Sequence, residues 1–299
     1  MPELTATVSD DIEICYETYG DPADPTLLLV MGLGGPMGWW SVAFCESLAD
    51  RGFQVVRYDN RDTGRSTKVK SAARLTRAVL VRSVLGVSKD VPYSLSDLAA
   101  DGLGLLDHLG VDRAHVVGVS MGGMIAQTMA IEHPDRVLSL TSIMSTTGRR
   151  TVGWQHPALL RMLLGHSDRS RAGYVAQSYV TSKLIGSPAY PADPDVIRER
   201  AEETFDRGWE PIGVLRQMLA VVTQPDRTKG LRGLRMPACA IHGEADRLVH
   251  PSGGRATAAA IPGAELVLVP GMGHDLPPEL DDTITEAIAR TAARASVDA

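Results

Sequence analysis

Ser120 is the side chain in this sequence that is best placed to act as a nucleophile. It stands in the segment GVSMG (118–122), between the apolar run AHVVGV and the helix-forming stretch MGGMIAQTMA. A serine at the junction of a buried strand and a helix lies in a tight turn, where glycines two residues away on either side prevent steric clashes. A serine that merely caps a helix would not explain these glycines. The spacing therefore predicts a hydroxyl exposed for nucleophilic attack.

His274 is the histidine predicted to serve as the base for Ser120. It lies in GMGHDLP, just after the apolar run ELVLVPG (265–271), and so on a loop at the carboxyl edge of a predicted sheet. Catalytic groups collect at that edge in open α/β sheets. Packing or solvation accounts more simply for other histidines: His115, His133, His156, His166 and His242.

Asp246 is the carboxylate predicted to orient the histidine. It follows the apolar run 238–243, in the chain order serine, acid, histidine that suits this kind of turn. Glu244 is the competing candidate, but it adjoins the strand end and is expected to point elsewhere. The preceding strand offers no alternative, since residues 138–150 contain no carboxylate. Asp246 would hold the imidazole of His274 while it takes the Ser120 proton.

Two backbone amides are predicted to bind the oxyanion that forms after the attack. One is the N–H of Met121, at the start of the helix after the serine. The other is the N–H of Leu33, in the glycine-rich loop GLGG (32–35), where the backbone can approach a substrate closely.

The elements that must position these residues read as alternating strands and helices. The continuous apolar run TLLLVMG (26–32) suits a strand covered by helices on both faces. Further strands are predicted at 53–60, 114–120, 137–145, 238–244 and 265–271, and residues 11–20 alternate polar and apolar as a half-buried strand does. Helical segments separate most of them, at 39–51, 94–110, 121–133 and 279–294. We therefore predict an α/β fold with a mostly parallel, doubly wound sheet.

The rhythm of strands and helices stops between residues 149 and 235, where the pattern is helical and irregular. The predicted organisation is a core of residues 1–148 and 236–299, with a helical cap at 149–235 inserted before the last two strands. The apolar side chains of this cap suggest an apolar or polyketide-like acyl group as part of the substrate.

Composition excludes several classes of function. The formal net charge of −6 argues against a nucleic-acid-binding protein. No apolar run is long enough to span a membrane, and the first residues do not resemble a secretory signal. Three widely spaced cysteines without zinc-ligand spacing, Cys15, Cys45 and Cys239, suggest free thiols in a reducing cytoplasm. We predict no metal and no cofactor.

Four segments resemble the α/β-hydrolase superfamily, and most closely the actinobacterial aclacinomycin methylesterase-like esterases and lipases. They are GDPADPTLLLVMG (20–32), VVRYDNRDTGRST (55–67), VDRAHVVGVSMGG (111–123) and PGMGH (270–274). The resemblance implies ester hydrolysis without a metal or organic cofactor. It also supports the roles argued above for Ser120, Asp246 and His274.

The sequence departs from the common superfamily pattern in two loops. Met31 precedes Gly32 where many members have histidine, which alters the support of the oxyanion loop but leaves its backbone donor. In DNRDTGRS (59–66), Asp62 replaces a common glycine, as in the methylesterase group. We interpret Asp59 and Arg61 as structural residues that tie down the loop under the site.

Residues 67–92 form a third departure, because this stretch is longer than expected and carries basic and apolar residues in alternation. One hypothesis is contact with an anionic lipid surface or an acyl-CoA. The simpler interpretation is a solvated helix that packs its apolar face on the cap.

The predicted activity is cleavage of carboxylic esters by a Ser-His-Asp triad through an acyl-enzyme. Thioesterase or phospholipase activity is the main alternative, since cap and pocket shape select the leaving group. A cofactor-free perhydrolase, a carbon–carbon hydrolase and a non-catalytic binding protein remain open as further alternatives.

Overall fold

The chain folds around one sheet. The computed structural model describes residues 2–70, 79, 82–83, 91–156, 159 and 168–295. Its strands are β1 Leu4–Ser9, β2 Ile12–Tyr19, β3 Thr26–Val30, β4 Gln54–Tyr58, β5 Ala114–Val119, β6 Val137–Ile143, β7 Ala238–Gly243 and β8 Glu265–Val269. They lie in the order β1-β2-β4-β3-β5-β6-β7-β8. The pairs β1–β2 and β2–β4 are antiparallel and the others parallel, which confirms the predicted mostly parallel sheet.

Helices cover both faces of this sheet. In chain order, the α-helices of the described residues are α1 Val42–Ala49, α2 Leu95–His108, α3 Met121–Glu132, α4 Arg171–Ile185, α5 Pro194–Asp206, α6 Pro211–Thr223, α7 Thr228–Leu231, α8 Ser252–Ala260 and α9 Asp281–Ala295. In β3, Leu28 and Val30 pack in the cluster that contains α2 and α3, whereas Leu27 and Leu29 pack with α1 and α9. Both faces of β3 are therefore buried, which explains its run of apolar residues.

The helices α4 to α7 lie between β6 and β7 in the chain, so a helical cap precedes the last two strands as predicted. The division into a core of 1–148 and 236–299 and a cap of 149–235 stays a prediction.

The topology brings the predicted site residues to one edge of the sheet. The chain runs from β3 outward to β4 and then returns to place β5 on the other side of β3. The loops that follow β3 and β5 therefore meet at a switch point, where open α/β sheets bind their ligands. The loop 31–35 follows β3 and Ser120 follows β5, while Asp246 and His274 come after β7 and β8.

Candidate active site

Ser120 occupies a sharp turn between β5 and α3. Its backbone angles are φ 55° and ψ −115°, in a region that side-chain-bearing residues rarely adopt. Its N–H donates a 2.8 Å hydrogen bond to the carbonyl of Ile143 on β6. Such a conformation costs on the order of 1–3 kcal/mol and persists only where the surrounding structure enforces it. Strain at this position fits a site residue, because it presents the hydroxyl above the sheet.

Close backbone packing explains the two glycines that flank Ser120. A Cβ atom on Gly118 would lie 2.1 Å from the carbonyl oxygen of Gly122. A Cβ atom on Gly122 would lie 2.0 Å from the carbonyl oxygen of Val30, at the end of β3. Neither position can hold a side chain, so the turn requires glycine at both.

His274 and Asp246 form a continuous hydrogen-bonded chain with Ser120. His274 Nε2 lies 3.0 Å from Ser120 Oγ, and His274 Nδ1 lies 2.7 Å from Asp246 Oδ2. The other oxygen of Asp246 accepts hydrogen bonds from the amides of Leu248 and Val249, at 2.8 and 2.9 Å. The structure thus brings the three predicted residues together in the geometry of nucleophile, base and orienting carboxylate.

The charge of Asp246 is stabilised from several sides. Burial raises the pKa of Asp246, but the imidazoles of His274 and His242 outweigh burial and hold this pKa well below its ordinary value. Asp246 Oδ2 lies 3.3 Å from Nε2 of His242, a completely buried side chain on β7. The competing carboxylate, Glu244, is exposed and lies 3.5 Å from Arg255. Asp246 is therefore the carboxylate that contacts His274.

The loop after β3 lies against Ser120. A Cβ atom on Gly32 would be 3.3 Å from the Ser120 Cβ. The Gly32 carbonyl accepts a 3.2 Å hydrogen bond from the Gly35 amide. The Leu33 N–H belongs to the same peptide plane as that carbonyl and points in the opposite direction, because the peptide is trans. The Met121 amide lies at the start of α3, directly after Ser120. Both predicted oxyanion donors are thus next to the serine in the fold.

Comparisons with known proteins agree with this architecture. A family model described as the alpha/beta hydrolase fold matches residues 25–279. The chain belongs to the α/β hydrolase fold family. It is 31% identical to rhodomycin D methylesterase DauP from Streptomyces sp. (strain C5), over 99% of this chain and 100% of that protein. It is 29% identical to rhodomycin D methylesterase DnrP from Streptomyces peucetius, with the same coverage.

A solved structure, described as a hydrolase from Pseudomonas aeruginosa PA01, is similar over 97% of both chains, with a TM-score of 0.73 and 27% identity. These likenesses confirm the resemblance to methylesterase-like α/β hydrolases that the four sequence segments indicated.

In this α/β hydrolase, Asp59 and Arg61 lie in the loop after β4, and the side chain of each binds other segments of the chain. The carboxylate of Asp59 accepts hydrogen bonds from the amides of Met37 and Arg65, at 2.7 and 2.9 Å. The guanidinium of Arg61 forms two 2.6 Å bonds to Asp101 on α2. Asp59 thereby connects two loops, and Arg61 connects its own loop to α2.

Gln217 on α6 is a site residue that sequence reasoning missed. Its Oε1 accepts a 2.8 Å hydrogen bond from the Gly34 amide in the oxyanion loop. Its Nε2 donates to the Arg61 carbonyl at 2.9 Å and to Thr63 Oγ1 at 2.8 Å. The side chain is completely buried. No local pattern around residue 217 signals this role, which depends on a contact 183 residues away in the chain.

Arg216, which precedes Gln217 on α6, forms a buried ion pair with Asp62 in the loop after β4. Its guanidinium forms two 2.7 Å bonds to Asp62, which also accepts from the Tyr93 hydroxyl at 2.7 Å. Asp62 has a positive φ of 69°, a conformation that suits the glycine common at this position. The departure noted in the sequence thus provides a carboxylate that binds the cap.

A cavity of about 640 Å³ lies beside the triad carboxylate, between the α4–α5 connection and the loop after β7. Asp246 lines it, with Trp154 and Arg247, but Ser120 and His274 do not. It is therefore not the space in front of the nucleophile.

Part of the basic segment 67–92 falls outside the described residues, so its lipid or acyl-CoA contact stays a hypothesis. In the described part of the chain, no helix is long and apolar enough to cross a membrane. No cluster of His, Cys, Asp and Glu suited to a metal ion occurs among those same residues.

Proposed function

We propose that this protein is a serine hydrolase that cleaves carboxylic esters, with Ser120 as nucleophile, His274 as base and Asp246 as the orienting carboxylate. The observation that carries the proposal is the hydrogen-bonded chain from Ser120 through His274 to Asp246, at a strained turn of the α/β hydrolase fold. A serine within hydrogen-bond distance of a base that a carboxylate orients is the arrangement that activates a nucleophile.

The geometry supports a two-step reaction. Ser120 Oγ attacks the ester carbon while its proton passes to His274 Nε2, and the resulting oxyanion is held by the amides of Leu33 and Met121. Collapse of this intermediate breaks the bond to the alcohol, which leaves with the proton from His274. Water then attacks the acyl-enzyme, again through His274, and releases the carboxylic acid and the free serine. Asp246 stabilises the imidazolium in both steps.

The relatives support a methyl ester as substrate. Both full-length relatives are named rhodomycin D methylesterases, so the alcohol that leaves from their substrate is methanol. We infer that this protein likewise releases a small alcohol from a larger acid. Activity on thioesters and phospholipids, measured beside activity on methyl esters, tests this preference for methyl esters.

The decisive experiment is the hydrolysis of p-nitrophenyl and methyl esters by wild type and Ser120→Ala. Ser120→Ala should lose at least about 10³-fold in kcat, since the nucleophile of a triad is removed. Ser139→Ala is the matched control, because Ser139 is also a buried serine within 2.8 Å of a histidine, His115, but lies on β6 away from the site. Equal loss in both variants, or activity retained in Ser120→Ala, would contradict the proposal.

We also propose a reducing, cytoplasmic setting. Its support is that all three cysteines are buried free thiols: Cys15, Cys45 and Cys239. A separate hypothesis is membrane contact through residues 67–92. Sedimentation with anionic vesicles at low salt tests it, and protein that stays in the supernatant would contradict it.

A further inference from the structure

Arg200 lies on the face of α5 that packs toward the core. The buried residues of this helix are Ile197, Ala201 and Thr204, and Arg200 falls on the same stripe. Its guanidinium carbon is 5.2 Å from the centre of the Trp39 ring, a cation–π contact. The Trp39 indole N–H donates a 2.9 Å hydrogen bond to Thr204 Oγ1, so the ring beneath Arg200 is fixed.

The surroundings of Arg200 connect it to both loops of the candidate active site. A Cβ atom on Gly35, in the oxyanion loop, would lie 2.8 Å from the Trp39 ring. Asp275, the residue after His274, is close enough for its charge to act on Arg200. Arg200 thus stands on the cap between the oxyanion loop and the histidine loop.

Arg200 differs from the other arginines of the long cap helices by having no acidic partner. Those on or at the end of α4, α5 and α6 each bind a carboxylate: Arg171, Arg198, Arg207 and Arg216. Within the described ranges, no carboxylate lies within ion-pair distance of the Arg200 guanidinium. Both oxygens of nearby Asp275 instead accept hydrogen bonds from Ser187.

Arg200 is half-buried, and a half-buried cation with no acidic partner among the described residues is unfavourable in the free protein. Burial lowers the pKa of Arg200, and the negative charge of Asp275 only partly opposes this effect. The planar guanidinium offers paired N–H donors that match a carboxylate, and a bound anion would compensate the desolvated charge. The surroundings of Arg200 therefore favour binding of a ligand with an anionic group.

We propose that Arg200 binds a carboxylate on the acyl part of the ester substrate and so selects esters of acids that carry a second, free acid group. This inference rests on the ester hydrolysis proposed above. We assign the carboxylate to the acyl part of the substrate because the proposed leaving group, methanol, carries no charge. Trp39 would hold the guanidinium in place from below while its N–H groups bind the carboxylate.

Two esters of equal length test this selection: the mono-p-nitrophenyl ester of glutaric acid, which is anionic, and p-nitrophenyl valerate, which is neutral. Arg200→Met should lower kcat/KM for the glutarate ester by about 10- to 100-fold, mainly through KM, since a charged hydrogen-bonded pair is lost. Activity on the valerate should stay within about twofold of wild type, and Arg200→Lys should recover part of the glutarate preference.

Arg198→Met is the matched control, because Arg198 lies on the same helix, is exposed and pairs with Asp195 at 3.1 Å. It should leave both activities unchanged. An unchanged ratio of the two activities in Arg200→Met would overturn the proposal, and so would an equal loss on both esters, which indicates a purely structural role.

If the protein is not an ester hydrolase, the result is different from those two outcomes: wild type shows no Ser120-dependent hydrolysis of the neutral ester. Calorimetric binding of monomethyl glutarate to wild type and Arg200→Met still tests Arg200 in that case. Equal affinity of the two proteins for this compound would contradict the assignment.

Discussion

Ser120, His274 and Asp246 show at the scale of single residues how local chemistry specifies a site. Each of the three follows a strand of the sheet, and each is fixed by backbone contacts as well as by its partners. The His274 amide donates a 2.7 Å hydrogen bond to the Ile185 carbonyl at the end of α4. The imidazole is therefore positioned by a cap helix on one side and by Asp246 on the other.

The lowered pKa of Asp246 predicts a specific loss of stability in acid. Because its native pKa lies below the ordinary value of 3.8, the ionised form stabilises the fold above that pH. This contribution is lost as the pH falls through the lowered native pKa. Free energies of unfolding from urea titrations, measured from neutral pH downward, should decline less steeply in Asp246→Asn than in wild type. Parallel curves for the two proteins would show that Asp246 is not stabilised as an anion.

At the scale of elements, α6 connects the cap to the loop that is proposed to bind the oxyanion. The helix meets this loop through Gln217, and a Cβ atom on Gly34 would lie 3.1 Å from Val214 of the same helix. The position of the Leu33 amide thus depends on α6, although α6 contributes no group to the chemical steps.

Gln217→Met should therefore lower kcat by about 10- to 100-fold with little change in KM, since a misplaced oxyanion donor weakens binding of the transition state alone. The measurement is steady-state hydrolysis of a p-nitrophenyl ester. Gln127→Met is the matched control: Gln127 is equally buried and hydrogen-bonded, to Ser142, but does not touch the loop. A similar fall in kcat in both variants would mean that Gln217 acts only through general stability.

The buried pair of Arg216 and Asp62 should show strong coupling. Arg216→Met leaves Asp62 as an uncompensated buried charge and should cost about 3–5 kcal/mol in the free energy of unfolding. Asp62→Gly suits the positive φ of this residue, and the double variant should recover much of the loss. A double-mutant cycle by urea unfolding measures the coupling energy. Strictly additive losses would contradict the ion pair as the contact that joins cap and core.

Much of the element scale could be predicted from sequence, for reasons visible in particular strands. The strands β3, β4, β5 and β7 are buried at every position, so their apolar runs were distinct. The prediction omitted β1, an edge strand with one buried residue, because such a strand leaves no apolar run.

The candidate site likewise has a part that could be predicted from the sequence and a part that could not. The order of serine, acid and histidine, after β5, β7 and β8, follows from short motifs and could be predicted from the sequence. The contacts of Gln217, Arg216 and Arg200 could not, because they join segments far apart in the chain and depend on how the cap packs on the core.

At the scale of the whole molecule, all three thiols are buried. Cys45 and Cys239 pack in the apolar layer with α1 and α9, whereas the Cys15 thiol lies between Glu3 and Arg207. Burial raises the pKa of Cys15, Cys45 and Cys239 to about 12 in each case. Thiolates react with disulfide reagents and thiols do not, so the native protein should react slowly or not at all. Titration with a chromogenic disulfide should detect the thiols only after unfolding in urea. Rapid reaction of any of them in the folded protein would contradict this packing.

The central claim is that this fold presents Ser120 as an activated nucleophile, and the site of covalent labelling by a fluorophosphonate tests it most directly. The claim predicts one adduct per wild-type molecule, on the peptide that contains Ser120, with no adduct on Ser120→Ala and much slower labelling of His274→Ala. Adducts on another residue, or labelling of Ser120→Ala at the wild-type rate, would contradict it.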